Sequence, residues 1–158
     1  MAGEMADDVA GALDGLSIHL VLRLPRHPRT IAFVRDFARA ALVLVAAPEA
    51  SINDIIVAVS EACANAVEHA SGVDDYEVTL DVNTDRFTAL VTDQGQGLDD
   101  KMVAAPMPGP DEARGRGLPL MRALTDEATF TVQPGIGTTV QLIKLLEPRS
   151  VSAGSNDE

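Results

Sequence analysis

Hydrophobic and polar residues alternate along several short runs of this chain and recur at helical spacing along longer ones. The alternating runs predict five β-strands, at residues 17–24, 76–82, 87–92, 128–133 and 138–145. Apolar residues spaced three and four apart predict three helices, at residues 30–45, 51–72 and 118–126. Ser51 is the predicted N-cap of the second helix. The predicted order is therefore β-α-α-β-β-α-β-β.

The strands come mainly as adjacent pairs, and this determines the predicted fold class. Residues 83–86, Asn-Thr-Asp-Arg, and residues 134–137, Pro-Gly-Ile-Gly, are typical of tight turns between antiparallel strands. Such hairpins disagree with a doubly wound fold, in which single strands alternate with helices. We therefore expect an α/β two-layer sandwich of the α+β kind, with a mixed, mostly antiparallel sheet and helices on one face.

Length and composition fit one domain with a core of aliphatic side chains. The chain has 158 residues, of which 46% are hydrophobic but only 3% are aromatic. Residues 1–15 and 148–158 are rich in small and acidic residues and are predicted to be flexible tails. The predicted domain therefore covers residues 16–147.

Charge and cysteine content argue against several classes of function. With 24 acidic and 12 basic residues, the formal net charge of −12 argues against direct nucleic-acid binding and suits a basic protein partner. The single cysteine, Cys63, leaves no internal disulfide and no multi-cysteine zinc site, and it is expected in the core. We also expect no membrane span and no signal peptide, and hence a cytoplasmic protein.

Four polar residues of the second predicted helix lie on one stripe. Glu61, Asn65, Glu68 and His69 are spaced at i, i+4, i+7 and i+8. Two interpretations stand, namely the solvated face of an amphipathic helix or one wall of a binding site. Glu68 is interpreted as a solvated carboxylate.

Three glycine-containing turns accompany this helix in the sequence. Residues 93–97, Asp-Gln-Gly-Gln-Gly, place a carboxylate and two glycines after a strand, where the glycines let a ligand approach the backbone. Residues 115–118, Gly-Arg-Gly-Leu, precede a helix, whose first amides attract phosphate. Residues 137–138, Gly-Thr, open the last strand. Each turn is weak evidence by itself, but their combination and order are specific.

In this order, the four elements resemble the N box, the two glycine boxes and the closing Gly-Thr of the GHKL (Bergerat-fold) ATPase superfamily, which includes gyrase, bacterial histidine kinases and MutL. The resemblance spans about residues 17–146. Within it, residues 61–70 resemble the branch of small anti-sigma factors that are also serine-protein kinases. A histidine kinase would need an upstream phospho-accepting helix, for which residues 1–16 leave no room.

The resemblance implies a chemical role for two residues of the helix stripe. Glu61 would be the general base that orients a substrate serine hydroxyl for attack on the γ-phosphate. Asn65 would supply its side-chain oxygen to Mg²⁺, which keeps water and phosphate oxygens in the rest of its shell. His69 would approach the phosphates, although a hydrogen-bonded structural role is equally compatible with its position.

The resemblance also implies which residues hold ATP. Asp93 would accept a hydrogen bond from the adenine amino group, Thr138 would share that network, and Gly95 and Gly97 would pass close to the nucleotide. The second glycine box would offer backbone amides to phosphate, through Gly115, Gly117 and Leu118. Arg116 would assist there or be a bystander. Residues 98–114 would form a short lid over ATP.

The implied partners are proteins of transcription control. An enzyme of this branch binds Mg-ATP, phosphorylates a serine of a STAS-domain anti-anti-sigma protein and sequesters a sigma factor. Arg35 resembles the arginine that such kinases use to contact both partners, and a solvated surface arginine is the other interpretation. Such kinases commonly form homodimers. The alternative function is a non-catalytic module that senses ATP or ADP and sequesters a regulatory protein.

Overall fold

A computed structural model describes residues 11, 13–69, 73–94, 117–133 and 136–146. The helices and strands follow the predicted order. They are β1 (Ser17–Pro25), α1 (Pro28–Leu44), α2 (Glu49–His69), β2 (Asp75–Asn83), β3 (Arg86–Asp93), α3 (Gly117–Leu124), β4 (Glu127–Gln133) and β5 (Gly137–Leu145).

The five strands form one sheet in the order β1-β2-β3-β5-β4, and each neighbouring pair is antiparallel. The expected two-layer α+β fold is confirmed, but none of the pairs in the described sheet is parallel. Two successive helices connect β1 to β2, its antiparallel neighbour in the sheet. Pro25 at the end of β1 therefore pairs with Asp75 at the start of β2. At the β2–β3 turn, the Asn83 side-chain oxygen accepts the backbone N–H groups of Asp85 and Arg86, both at 2.9 Å.

The helices cover one face of the sheet, and the core lies between the two layers. In β2 and β3 every second residue is buried, which is the pattern of strands with one covered face. α1 contacts β1 and β2, while α2 packs between α1 and α3 and contacts β3 and β5. By length and composition α2 could cross a membrane, but its apolar side chains form the core.

The starts of the first two helices differ from the prediction in an instructive way. α1 begins at Pro28, because the His27 side chain accepts the Arg29 N–H at 3.1 Å and so caps the helix. α2 begins at Glu49, immediately after Pro48, so the prediction that Ser51 is its N-cap is wrong. Proline suits a helix start because its fixed backbone angle needs no further ordering.

Cys63 is fully buried, as its apolar neighbourhood on the helix predicts. Burial raises the pKa of its thiol to about 12, an effect that a hydrogen bond with Tyr76 partly offsets. The Tyr76 hydroxyl also lies 2.8 Å from Thr30 Oγ1. These three side chains join α2, β2 and α1, so Cys63 has a structural role and does not act as a nucleophile.

Candidate functional site

A narrow cavity of about 10 Å³ lies between α2 and the adjacent strands β3 and β5. A cavity of this size holds about one water molecule, so a purine ring would require the surrounding groups to move apart. Its lining combines polar and apolar side chains. The lining residues are Ala62, Asn65, Ala66, His69, Val91, Asp93, Thr138 and Val140.

The α2 wall of the cavity follows from helical spacing. Asn65 and His69 are four residues apart and lie one above the other, with the small side chains of Ala62 and Ala66 beside them. Asn65 is half-buried and His69 is exposed at the helix end, where its Nε2 lies 3.9 Å from Glu68 Oε2. The site-wall interpretation of the stripe therefore fits the geometry better than a fully solvated face.

The sheet wall of the cavity is built by a cross-strand pair. Asp93 of β3 and Thr138 of β5 are direct partners in the antiparallel register, and both follow the alternation that directs Val91 and Val140 toward the helices. Thr138 is only 3% exposed, which is unusual for a polar side chain. A half-buried carboxylate beside a buried hydroxyl can form hydrogen bonds with the polar edge of a ligand.

Gly137 allows this pair to come together. A Cβ atom at this position would lie 2.0 Å from the Asp93 carbonyl oxygen and 2.9 Å from Gln94 Cα. The residue also has φ +154°, which side-chain-bearing residues rarely adopt. The closing Gly-Thr motif is thus explained by close backbone approach between β3 and β5.

A second close approach brings α3 against α2. A Cβ on Gly117 would lie 3.0 Å from Glu61 Oε2 and 3.6 Å from Asn65 Oδ1. Since Gly117 is the first residue of α3, the N-terminus of that helix lies beside the Glu61 carboxylate and the Asn65 amide. The start of a helix is favourable for negative charge, because its first amides are unpaired and its dipole is positive there.

Glu61 has a perturbed acidity. Burial raises the pKa of its carboxyl above the ordinary 4.5, and the negative charge of Glu68 raises it further. A raised pKa makes a carboxylate a stronger proton acceptor. Perturbed acidity next to a cavity is a recognised mark of functional carboxylates.

The remaining predicted site residues divide into two groups. Gly95, Gly97, Gly115 and Arg116 lie outside the described residues, as do the segment 98–114, the predicted tail at 148–158 and, apart from residues 11 and 13–15, the predicted tail at 1–15.

Leu118 and Arg35 lie within the described part. The side chain of Leu118 packs in the core, so only its backbone remains for a ligand. Arg35 is exposed on α1, a helix that does not line the cavity. Its neighbour Arg39 pairs with Glu49 at 3.5 Å.

The donor groups suit a metal that is held mainly by its substrate. Within the described ranges there is no cluster of three or more His, Cys, Asp or Glu side chains that could cage an ion. Asn65 supplies one neutral oxygen beside the start of α3. Mg²⁺ fits this arrangement, because it commonly takes few protein ligands and completes its shell with phosphate oxygens and water.

Sequence reasoning missed the apolar half of the lining. Val91 and Val140 could have been found, since each lies two residues from a predicted polar contact on the same strand face. Ala62 and Ala66 could have been found from their small size at a spacing of four on α2. The contacts of Arg26 could not have been predicted from the sequence, because its partners are backbone carbonyls.

Comparison with known proteins agrees with this geometry. A family model described as a histidine kinase-like ATPase domain matches residues 24–144. The serine-protein kinase RsbW of Bacillus licheniformis is 30% identical over 148 residues, covering 87% of this chain and 91% of that protein. RsbW of Bacillus subtilis is also 30% identical, with 84% and 89% covered.

A solved structure gives the same result for the fold. The crystal structure of the RsbU and RsbW domains of a Mycobacterium tuberculosis protein superimposes with a TM-score of 0.64 at 27% identity. The match covers 83% of this chain but only 33% of that longer one. Taken with the matched family model, these similarities mean that the chain belongs to the histidine kinase-like ATPase domain family, and that it resembles the RsbW serine-protein kinases over most of its length.

Proposed function

We propose that this protein is an anti-sigma factor with serine-protein kinase activity that acts in the cytoplasm. It binds Mg-ATP, phosphorylates a serine of a STAS-type anti-anti-sigma protein and sequesters a sigma factor. One observation carries the proposal: Glu61 lies beside Asn65 and Gly117, and Asn65 lines a cavity together with Asp93 and Thr138. The similarity to RsbW kinases over 87% of the chain supports it.

In the proposed reaction, the serine hydroxyl of the partner attacks the γ-phosphorus of ATP. The new Oγ–P bond forms while the bond from phosphorus to the β–γ bridging oxygen breaks, and ADP leaves. Glu61 accepts the hydroxyl proton, for which its raised pKa makes it a better base than an ordinary surface glutamate. Positioning and electrostatics supply most of the catalysis in phosphoryl transfer, and the chain needs no covalent intermediate.

The other side chains of the site bind and orient ATP. Asp93 accepts from the adenine amino group and Thr138 shares that network, while the apolar lining residues exclude water from the ring. Gly117 leaves room for phosphate at the start of α3, where the helix dipole favours negative charge. His69 completes the wall at the end of α2. Asn65 would hold Mg²⁺, which neutralises phosphate charge when bound.

The kinase activity is tested with the purified protein, Mg-ATP and a STAS-type antagonist, with phosphoserine detected by mass spectrometry. Glu61→Ala should lower transfer by about 10²-fold or more while ATP binding persists. Glu77→Ala is the matched control, because Glu77 lies on the sheet face away from the helices. Undiminished transfer in Glu61→Ala would refute the general-base role of Glu61, and absence of phosphoserine with the wild-type protein would remove the enzymatic assignment.

Nucleotide binding is tested by titration calorimetry with ATP, ADP and GTP, with and without Mg²⁺. Adenine nucleotides should bind in preference to GTP, and Asp93→Asn should weaken ATP binding, because it replaces an acceptor oxygen with a donor. Nucleotide binding and partner capture with no phosphoserine on any antagonist would identify the protein as a non-catalytic ATP/ADP-sensing module.

Partner binding is proposed to involve α1. Arg35 is exposed there and would contact the sigma factor or the antagonist. Arg35→Ala should weaken capture of a tagged partner, whereas Arg29→Ala, an exposed arginine on the same helix, should not. Equal capture by both variants would refute the docking role of Arg35. The homodimer stays a prediction, which sedimentation velocity tests.

A further inference from the structure

Arg26 joins three segments of the chain that lie far apart in sequence. Its guanidinium donates from one terminal nitrogen to the Val67 carbonyl at 2.8 Å and from the other to the Val73 carbonyl at 3.0 Å. Its backbone N–H donates to the Asp74 carbonyl at 2.8 Å. The end of β1 is thereby connected to the last turn of α2 and to the chain that leads into β2.

The contact at Val67 is a helix C-cap supplied by a distant side chain. Within the described residues α2 ends at His69, so the Val67 carbonyl belongs to the last turn, where carbonyls take their partners from outside the helix. A cation at this end also interacts favourably with the helix dipole. The planar fork of arginine lets one side chain serve two carbonyls at once, which the single ammonium of lysine does less well.

The capped turn carries part of the proposed nucleotide site. Val67 lies midway between Asn65 and His69, both of which line the cavity opposite Asp93 and Thr138. The cavity has little spare room, so a small displacement of this turn changes the spacing between its two walls. Glu61 lies further up the helix, beside Gly117, and is not in the capped turn.

We infer that Arg26 is a positioning residue, which holds the last turn of α2 so that Asn65 and His69 meet the nucleotide. The inference rests on the proposed nucleotide-binding function. Arg26 touches neither substrate nor metal and acts only through the Val67 and Val73 carbonyls. The two terminal nitrogens of its guanidinium donate to backbone carbonyls, while its Nε is enclosed and has no hydrogen-bond partner within the described part of the chain.

Arg23, which lies on β1 shortly before Arg26, is a matched control. It lies three residues before Arg26, is exposed, and pairs in register with Glu77 on the sheet face away from the helices. Arg23→Gln and Arg26→Gln each remove one positive charge near the end of β1. Only Arg26→Gln also removes the cap on α2.

The first measurement is the Kd of ADP with Mg²⁺, by calorimetry, at a temperature where circular dichroism finds each variant folded. Arg26→Gln should weaken ADP binding by about tenfold, the lower end of what the loss of an outer-shell partner costs. Arg26→Lys should give an intermediate loss, and Arg23→Gln should bind like wild type. A purely structural role would lower the melting temperature but leave the Kd of the folded protein unchanged.

The second measurement is hydrogen exchange without nucleotide, which tests the cap independently of binding. Amides of residues 65–69 should exchange faster in Arg26→Gln, while those of α1 keep their wild-type rates. Wild-type ADP affinity in folded Arg26→Gln, or an equal loss in Arg23→Gln, would overturn the positioning role alone. If wild type binds no adenine nucleotide, the proposed function fails, and the positioning role fails with it even where exchange confirms the cap.

Discussion

Replacing Gly137 with alanine tests whether the close approach of β3 and β5 builds the sheet wall of the site. The new Cβ would lie 2.0 Å from the Asp93 carbonyl oxygen, against about 3.3 Å for an ordinary contact of this kind. Because the opposing atoms are backbone, rotation of a side chain cannot relieve the overlap. The start of β5 must therefore move by more than 1 Å, which separates Thr138 from Asp93.

The expected cost has two parts. Holding alanine at φ +154° costs about 1–3 kcal/mol. Opening the strand end loses two ladder hydrogen bonds at about 1 kcal/mol each. The free energy of unfolding should thus fall by about 3–5 kcal/mol, a large part of the stability of a small domain.

Gly15 provides the control for this experiment. It also has a positive φ, +82°, but a Cβ there would meet nothing within 4 Å. Gly15→Ala should therefore cost only about 1 kcal/mol from the backbone angle. Urea unfolding would separate the two variants by about 1–2 M in midpoint for a domain of this size. Equal midpoints would refute the close approach, and wild-type ADP affinity in folded Gly137→Ala would refute its link to the site.

Four further outcomes are expected. Gly117→Ala should lower phosphoryl transfer but change the free energy of unfolding by less than about 0.5 kcal/mol, because its Cβ meets the movable end of Glu61. Glu68→Gln should shift the acid limb of the pH–rate profile to lower pH, because the Glu68 charge raises the pKa of Glu61 and the base must be deprotonated. Glu61→Gln should stabilise the fold at pH 7, because the pKa of Glu61 is raised in the folded state and its ionised form therefore destabilises the fold. This gain should disappear as the pH falls toward 4.5, the ordinary pKa, because Glu61 is then protonated in the folded protein. Ala46→Gly, at φ 55° after α1, should raise the urea midpoint slightly by relieving a left-handed residue.

Local sequence patterns were sufficient for most of the fold. The alternation of β2 and β3, the Asn83 turn between them and the long apolar stripe of α2 are each visible in a short stretch of sequence, and each was predicted. The start of α2 was misplaced by two residues, because a serine before an apolar run and a proline before a glutamate are both valid start signals. Only packing decides between them.

The candidate site was predictable where side chains of specific type recur at fixed spacing, as for Asn65 and His69. It was not predictable where a side chain meets backbone. Arg26 lies 41 residues from Val67, and Lys144 donates to the Leu124 carbonyl at 3.1 Å across 20 residues. Every residue has a carbonyl, so such contacts leave no pattern along the chain and follow only from the packed structure.

The two walls of the cavity are supported by different parts of the fold, and this bears on how function and stability are coupled. Asp93 and Thr138 are fixed by strand pairing through Gly137, so their spacing should survive as long as the sheet does. The last turn of α2 depends instead on one guanidinium and can loosen without global unfolding. Mutations in the sheet should therefore cost stability and binding together, whereas mutations at the helix end should cost binding first. A variant that binds ADP poorly but melts like wild type should therefore map to the end of α2 and not to β3 or β5.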